Sequence, residues 1–279
     1  MRAPESAWHE WGGAGPVLHF GHANGFPPGT YRRLLVLLAR EFSPVSMEAR
    51  PLWPGADPES IDNWLPLASD LSHELGRRRL RRLVGVGHSL GALTTLIASA
   101  ADPGLFSAIV IIDPLLLTGR RAVFWGTTKR LGQAHRLPLV RGARCRRDHW
   151  TDSDVVRRTL ATRPMFATWQ PEVIEDYLTA GTREAESGGL ELAYPRGWEA
   201  RIFQVAPHDL WSHVRRVRVP ALFVRGADSD TFLPEAAERV RRELPSAEVV
   251  EMPGTTHFVP MEKPEELAEL ILGFLRRVG

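Results

Sequence analysis

The sequence predicts an α/β fold, a mostly parallel central sheet with helices on both faces, carrying a mainly helical insertion. Three observations lead there. Short, near-continuously apolar runs alternate with stretches of helical periodicity in both the first and last parts of the chain, as in a parallel sheet covered on both faces. The apolar runs break abruptly into Gly-, Pro- or Asp-rich residues, which mark strand ends. Between about Leu115 and Val217 the alternation stops and residues rich in Trp, Arg and polar side chains replace it.

Taken in order, Pro16 to Gly21 reads as a strand running into the turn-rich loop His22 to Gly29, and Thr30 is a good N-cap for the apolar-faced helix after it. Pro44 to Ala49 reads as the next strand and Ile61 to Leu75 as a helix, closed by Gly76 and the basic run Arg77 to Arg82. Leu83 to Val86 is a buried strand, and a helix begins near Leu90 and ends at Asp102-Pro103-Gly104. Ser107 to Ile112 is another buried strand, ending in Asp113-Pro114. After the insertion, Pro220 to Gly226 and Glu248 to Met252 read as strands, and Pro234 to Leu244 and Pro264 to Arg277 as helices. The domain expectation is therefore a core of residues 1–114 and 218–279 with residues 115–217 inserted.

Composition bounds the function. With 279 residues and 43% hydrophobic content the chain can bury a large core. The net charge is only +2, and the Arg77–Arg82 run fits a solvated helix end, where cations complement exposed carbonyls, so no nucleic-acid partner is expected. No signal-like or membrane-spanning stretch is present, and a cytoplasmic location is expected. Cys145 is the only cysteine, which excludes an intrachain disulfide and a thiolate metal site. His19 and His22 form an H-x-x-H without an acidic companion, so neither metal nor cofactor is expected. Oligomeric state is not legible.

Chemistry concentrates in Gly87-His88-Ser89-Leu90-Gly91, a G-x-S-x-G between a strand and a helix. Glycines two positions either side of the serine allow a tight turn that holds its hydroxyl at the sheet's edge beside a helix N-terminus. A serine nucleophile needs a base and a third group that fixes the base's tautomer. His257, in P-G-T-T-H-F, follows the last strand, and Asp230, in R-G-A-D-S-D-T-F-L-P, follows the strand before it. Residues beyond the carboxyl ends of parallel strands converge on one crevice.

These motifs together resemble the α/β-hydrolase fold superfamily, and the resemblance covers essentially the whole chain. It implies Ser89 as nucleophile, His257 as base and an insertion after the sixth strand that serves as a cap. For the acid, the four-residue spacing from Asp230 to Pro234 favours Asp230, with Asp228 and Asp113 as alternatives. The loop His22-Ala23-Asn24-Gly25 resembles the family's oxyanion loop, with Ala23 where glycine is commonest. The oxyanion donors are thus expected to be the amides of Leu90 and of Asn24 or Ala23.

The expected activity is that of a serine hydrolase, carboxylesterase-like, acting on a small and largely apolar or aromatic substrate. His22, Phe26, His88, Trp125, Trp150, Phe166, Trp169 and Phe258 are the expected pocket residues. A lactonase, thioesterase, acyltransferase or carbon–carbon bond hydrolase can share the triad, and a non-catalytic ligand-binding protein can share the fold.

Overall fold

The computed structural model describes residues 2–279. The first part of the chain lays down β1 (Trp8–Glu10), β2 (Val17–Gly21), α1 (Arg32–Leu38), β3 (Ser43–Met47), α2 (Leu65–Arg77), β4 (Leu83–His88), α3 (Leu90–Ala101) and β5 (Phe106–Ile112). Residues 115–217 then supply α4 (Gly119–Arg130), α5 (Pro138–Arg144), β6 (His149–Trp150), α6 (Ser153–Ala161), α7 (Pro171–Gly181), β7 (Thr182–Glu184), β8 (Leu190–Leu192), α8 (Arg196–Gln204) and α9 (Trp211–Val214). The chain closes with β9 (Ala221–Gly226), α10 (Pro234–Glu243), β10 (Glu248–Met252), α11 (Val259–Glu262) and α12 (Pro264–Val278).

The seven-stranded sheet has the order β1-β3-β2-β4-β5-β9-β10. All neighbours pair in parallel except β1, which runs antiparallel to β3. The continuous apolar run of β5 follows from burial on both sides. Ile109 and Ile111 join the core formed with α2, α3 and α10, whereas Ala108, Val110 and Ile112 join the core formed with α1 and α12. Alternation is present, but both faces demand apolar side chains.

Two features were not expected, and the strand count before the insertion needs correction. Trp8–Glu10 forms an edge strand that three residues of mixed polarity did not signal. Five strands, not six, precede the inserted residues, because a single short strand stands on the N-terminal side of β2 and β3. Beside its helices, the segment 115–217 also carries a small antiparallel sheet of β6, β8 and β7, turned at Gly188 and Gly189, both at positive φ. No helix among the described residues is long and apolar enough to cross a membrane.

Candidate active site

The turn at Ser89 is built by close backbone approach. A Cβ on Gly87 would lie 2.3 Å from the Gly91 carbonyl oxygen, and one on Gly91 would lie 2.0 Å from the carbonyl oxygen of Gly21 at the end of β2. Only glycine permits this crossing of β2, β4 and α3. Ser89 itself is forced to φ 54° and ψ −110°, a strained backbone. Its amide donates to the Ile112 carbonyl at 2.9 Å, which ties the elbow to β5. Leu90 is the first residue of α3, where amides lack an intrahelical acceptor.

Ile112 is followed by Asp113, fully buried and at φ 44°. Its amide donates to the Val224 carbonyl at 2.8 Å, and its Oδ1 accepts from Ser229 Oγ at 2.7 Å. Oδ2 has no hydrogen-bond partner among the described residues and faces His257 Nδ1, also without one, at 3.7 Å. His257 is carried by the loop after β10, which Glu262 pins by accepting from the Thr256 amide at 2.7 Å and Thr256 Oγ1 at 2.8 Å.

The structure brings Asp113, not Asp230, to His257, and the reason is local. A Cβ on Gly226 would lie 2.0 Å from the Thr256 carbonyl oxygen, and the Asp228 amide donates to Thr255, so the chain leaving β9 is pressed against the histidine loop. In that turn Ser229 points inward and is buried, while Asp228 and Asp230 on either side are exposed. Ser229 Oγ also accepts from the amides of Thr231 and Phe232. The Asp230 carbonyl meets Arg121 at 2.9 Å. The spacing to Pro234 is present, but the inward position holds a serine.

The loop after β2 is equally specified. His22 Nδ1 donates to the Ala23 carbonyl at 2.8 Å and Nε2 accepts from the Ala49 amide at 2.9 Å. Burial holds it below the ordinary histidine range, consistent with a neutral ring that bridges loops. The Ala23 amide donates to Tyr31 Oη at 3.1 Å, so of the two expected amides that of Ala23 is already engaged. Asn24 is buried, and its Nδ2 donates to the Glu199 carbonyl at 3.0 Å.

Of the expected pocket residues, Phe26, Phe166, Trp169 and Phe258 interlock in one aromatic cluster together with Tyr177. Phe258 lies 5.3 Å from the His257 ring. His88 lies 4.8 Å from that ring on its other contact. Trp150 is buried in the same core, with Arg147 over its ring. Trp125 does not join them. It packs against the opposite core and donates to the Ala206 carbonyl at 3.1 Å, because the helix bearing it lies along the α8–α9 connection.

Five residues were not singled out for the site by the sequence: Tyr31, Ser229, Tyr177 and the ion pair of Arg146 with Glu199. Arg146 Nη1 meets Glu199 at 2.9 Å and Nη2 donates to Tyr177 Oη. Burial opposes its charge, but Tyr177 and Glu199 outweigh that and hold the guanidinium above its usual range. The Arg-rich run of residues 141–147 was visible, but no periodicity says which of its arginines turns inward.

A sequence profile described as the alpha/beta hydrolase family matches residues 17–270, and the chain belongs to that family. The chain is similar to 2-(acetamidomethylene)succinate hydrolase of Mesorhizobium japonicum, 24% identical over 265 residues, which cover 94% of this chain and 89% of that protein. The crystal structure of E-2-(acetamidomethylene)succinate hydrolase superposes with a TM-score of 0.82 at 24% identity, covering 96% of this chain and 94% of that one. The thioesterase domain from the curacin biosynthetic pathway does so with a TM-score of 0.72 at 17% identity, covering 95% and 94%. The protein is thus a hydrolase of the α/β fold.

Proposed function

We propose that the protein is a serine hydrolase that cleaves an ester-like bond of a small, largely apolar or aromatic substrate through an acyl-enzyme on Ser89. The observation that carries this is the facing pair Asp113 Oδ2 and His257 Nδ1, each otherwise unpartnered among the described residues, held next to the strained turn at Ser89 by the hydrogen bond of the Ser89 amide to Ile112 and the contact of the His88 and His257 rings. In this reading Asp113 takes the place expected of Asp230. His257 accepts the Ser89 proton as the hydroxyl oxygen attacks the substrate carbonyl, and the amides of Leu90 and Asn24 hold the resulting oxyanion. The protonated His257 gives its proton to the leaving group, then deprotonates the water that releases the acyl group from Ser89. Asp113 orients the imidazole and stabilises its charged form. Residues 115–217 act as the cap, and Phe26, Phe166, Trp169 and Phe258 form the apolar wall over the site.

Labelling with a fluorophosphonate probe tests the reading. Ser89 becomes modified, and Ser89→Ala removes the label; an unlabelled wild type, or a Ser89→Ala variant that labels equally well, sinks the proposal. A panel of aryl esters graded by acyl length, with lactones and thioesters alongside, assigns the substrate class.

A second reading rests on the relative that spans 94% of this chain, a 2-(acetamidomethylene)succinate hydrolase. The same residues would then act on a substrate of that kind, with the part-buried Arg146, bonded to Tyr177 of the aromatic cluster, as the cation for a carboxylate. Release of products from 2-(acetamidomethylene)succinate, with the aryl esters left intact, would favour it over the first.

A further inference from the structure

Four segments from different parts of the chain meet behind the candidate site through one line of hydrogen bonds. The Ala23 amide donates to Tyr31 Oη at 3.1 Å, Tyr31 Oη lies 2.8 Å from His88 Nδ1, and His88 Nε2 lies 2.8 Å from the His257 carbonyl oxygen. Tyr31 and His88 are both buried, and Tyr31 rests on Phe20.

We propose that Tyr31 and His88 are positioning residues of the reaction: their hydrogen-bond chain, of fixed polarity, sets the oxyanion loop and the histidine loop against the Ser89 turn. This rests on the reading of Ser89 and His257 given above.

The polarity follows from the two ends. A carbonyl only accepts, so His88 Nε2 must carry hydrogen, and an amide only donates, so Tyr31 Oη must accept from Ala23. Burial, reinforced by the neighbouring His257 ring, holds His88 well below the ordinary histidine range and keeps it neutral. Its Nδ1 is therefore an acceptor, and the Tyr31 hydroxyl must donate to it. Burial likewise raises the Tyr31 phenol, so that proton stays in place. Each donor and acceptor in the line is used once in one direction.

Two consequences bear on the reaction. By engaging the Ala23 amide, Tyr31 selects which peptide of the loop can present its amide to an oxyanion. By gripping the backbone of His257, with its ring 4.8 Å away, His88 fixes the base from behind without competing for either imidazole nitrogen. A phenylalanine at position 31 could make the same contact with Phe20. The hydroxyl is what the chain requires.

The test measures the second-order rate of Ser89 phosphonylation by a fluorophosphonate from pH 5.5 to 9, per folded molecule, with folding followed by circular dichroism. Tyr31→Phe and His88→Leu are expected to lower the limiting rate by about tenfold or more and to displace the midpoint that reports His257, since sub-ångström misplacement of reacting groups is costly. His88→Gln keeps one acceptor and one donor and is expected to stay within about threefold of wild type. Wild-type rates and midpoints in Tyr31→Phe and His88→Leu would reduce the chain to a packing feature and overturn the proposal. So would a His88→Gln variant as slow as His88→Leu. Absence of labelling in the wild type would instead overturn the serine-hydrolase reading, and this proposal with it.

Discussion

Asp113 Oδ2 and His257 Nδ1 face one another at 3.7 Å, and each lacks any other hydrogen-bond partner among the described residues. At that separation the pair is within ionic reach but longer than a hydrogen bond. Two buried polar atoms left unmatched would each cost free energy, so their pairing on proton transfer to His257 is the arrangement the burial favours. Asp113→Asn is therefore expected to lower the rate of Ser89 phosphonylation by a factor on the order of 10³ to 10⁴, while Asp230→Asn and Asp228→Asn stay within about twofold. Measuring all three with the same probe decides between the acids, and equal loss in Asp230→Asn would return the assignment to the β9 loop.

The glycine crossing gives a stability prediction. Gly91→Ala places a methyl group where the Gly21 carbonyl oxygen already sits 2.0 Å away, and both partners are backbone. A loss of more than about 3 kcal/mol in urea denaturation, or failure to fold, is expected. Gly142→Ala, in α5 with open space around it, is the control and is expected to be neutral or stabilising by up to about 1 kcal/mol.

Acid stability should reflect His19. Burial, with His22 adding to it, pushes this imidazole down to about 3, and neither of its nitrogens has a hydrogen-bond partner among the described residues. Between pH 6.5 and 3 the unfolded chain binds a proton there that the folded chain does not. Stability is therefore complete above pH 6.5 and falls as the pH drops through that range, by up to about 1.4 kcal/mol per unit from this group. Denaturation midpoints at pH 7, 6 and 5 should decline more steeply in the wild type than in His19→Leu. Parallel slopes would show that His19 is not the source.

Glu199 accepts Asn24 Nδ2 of the loop after β2 at its backbone carbonyl, and its carboxylate pairs with Arg146. Glu199→Ala leaves a largely buried guanidinium without its carboxylate, at a cost of about 2 kcal/mol given the remaining exposure of the pair. Replacing both, Arg146→Met with Glu199→Leu, should recover most of that loss. A double variant as unstable as the single one would show that the charge itself is not the cause.

The core strands and the Ser89 turn were legible because burial and glycine leave unambiguous local marks. The β4 and β5 segments are buried on both faces and carry near-continuous apolar runs, and Gly87 and Gly91 bracket a serine that no ordinary turn requires. Asp230 does not face His257, as its spacing to Pro234 led one to expect, because that spacing is a one-dimensional cue. The direction of Ser229 against Asp228 and Asp230 is decided by the contact of Gly226 with Thr256, which lies 30 residues away in the chain. Tyr31 was hidden for a similar reason: it sits in an apolar helical stretch where a phenol and a phenyl group give the same pattern. The β6–β8 sheet escaped because strands of two or three residues carry no period.

On the proposed assignment, an acid carried at the end of β5 changes which parts of this protein can be exchanged. Asp113 stands immediately before Pro114, at the root of the inserted residues, so a chimera that imports another protein's cap has to join beyond that pair and keep Ser229 beneath it. The outward-facing positions 228 and 230, by contrast, lie outside the chemistry on that assignment and could be recoded for solubility, labelling or surface attachment.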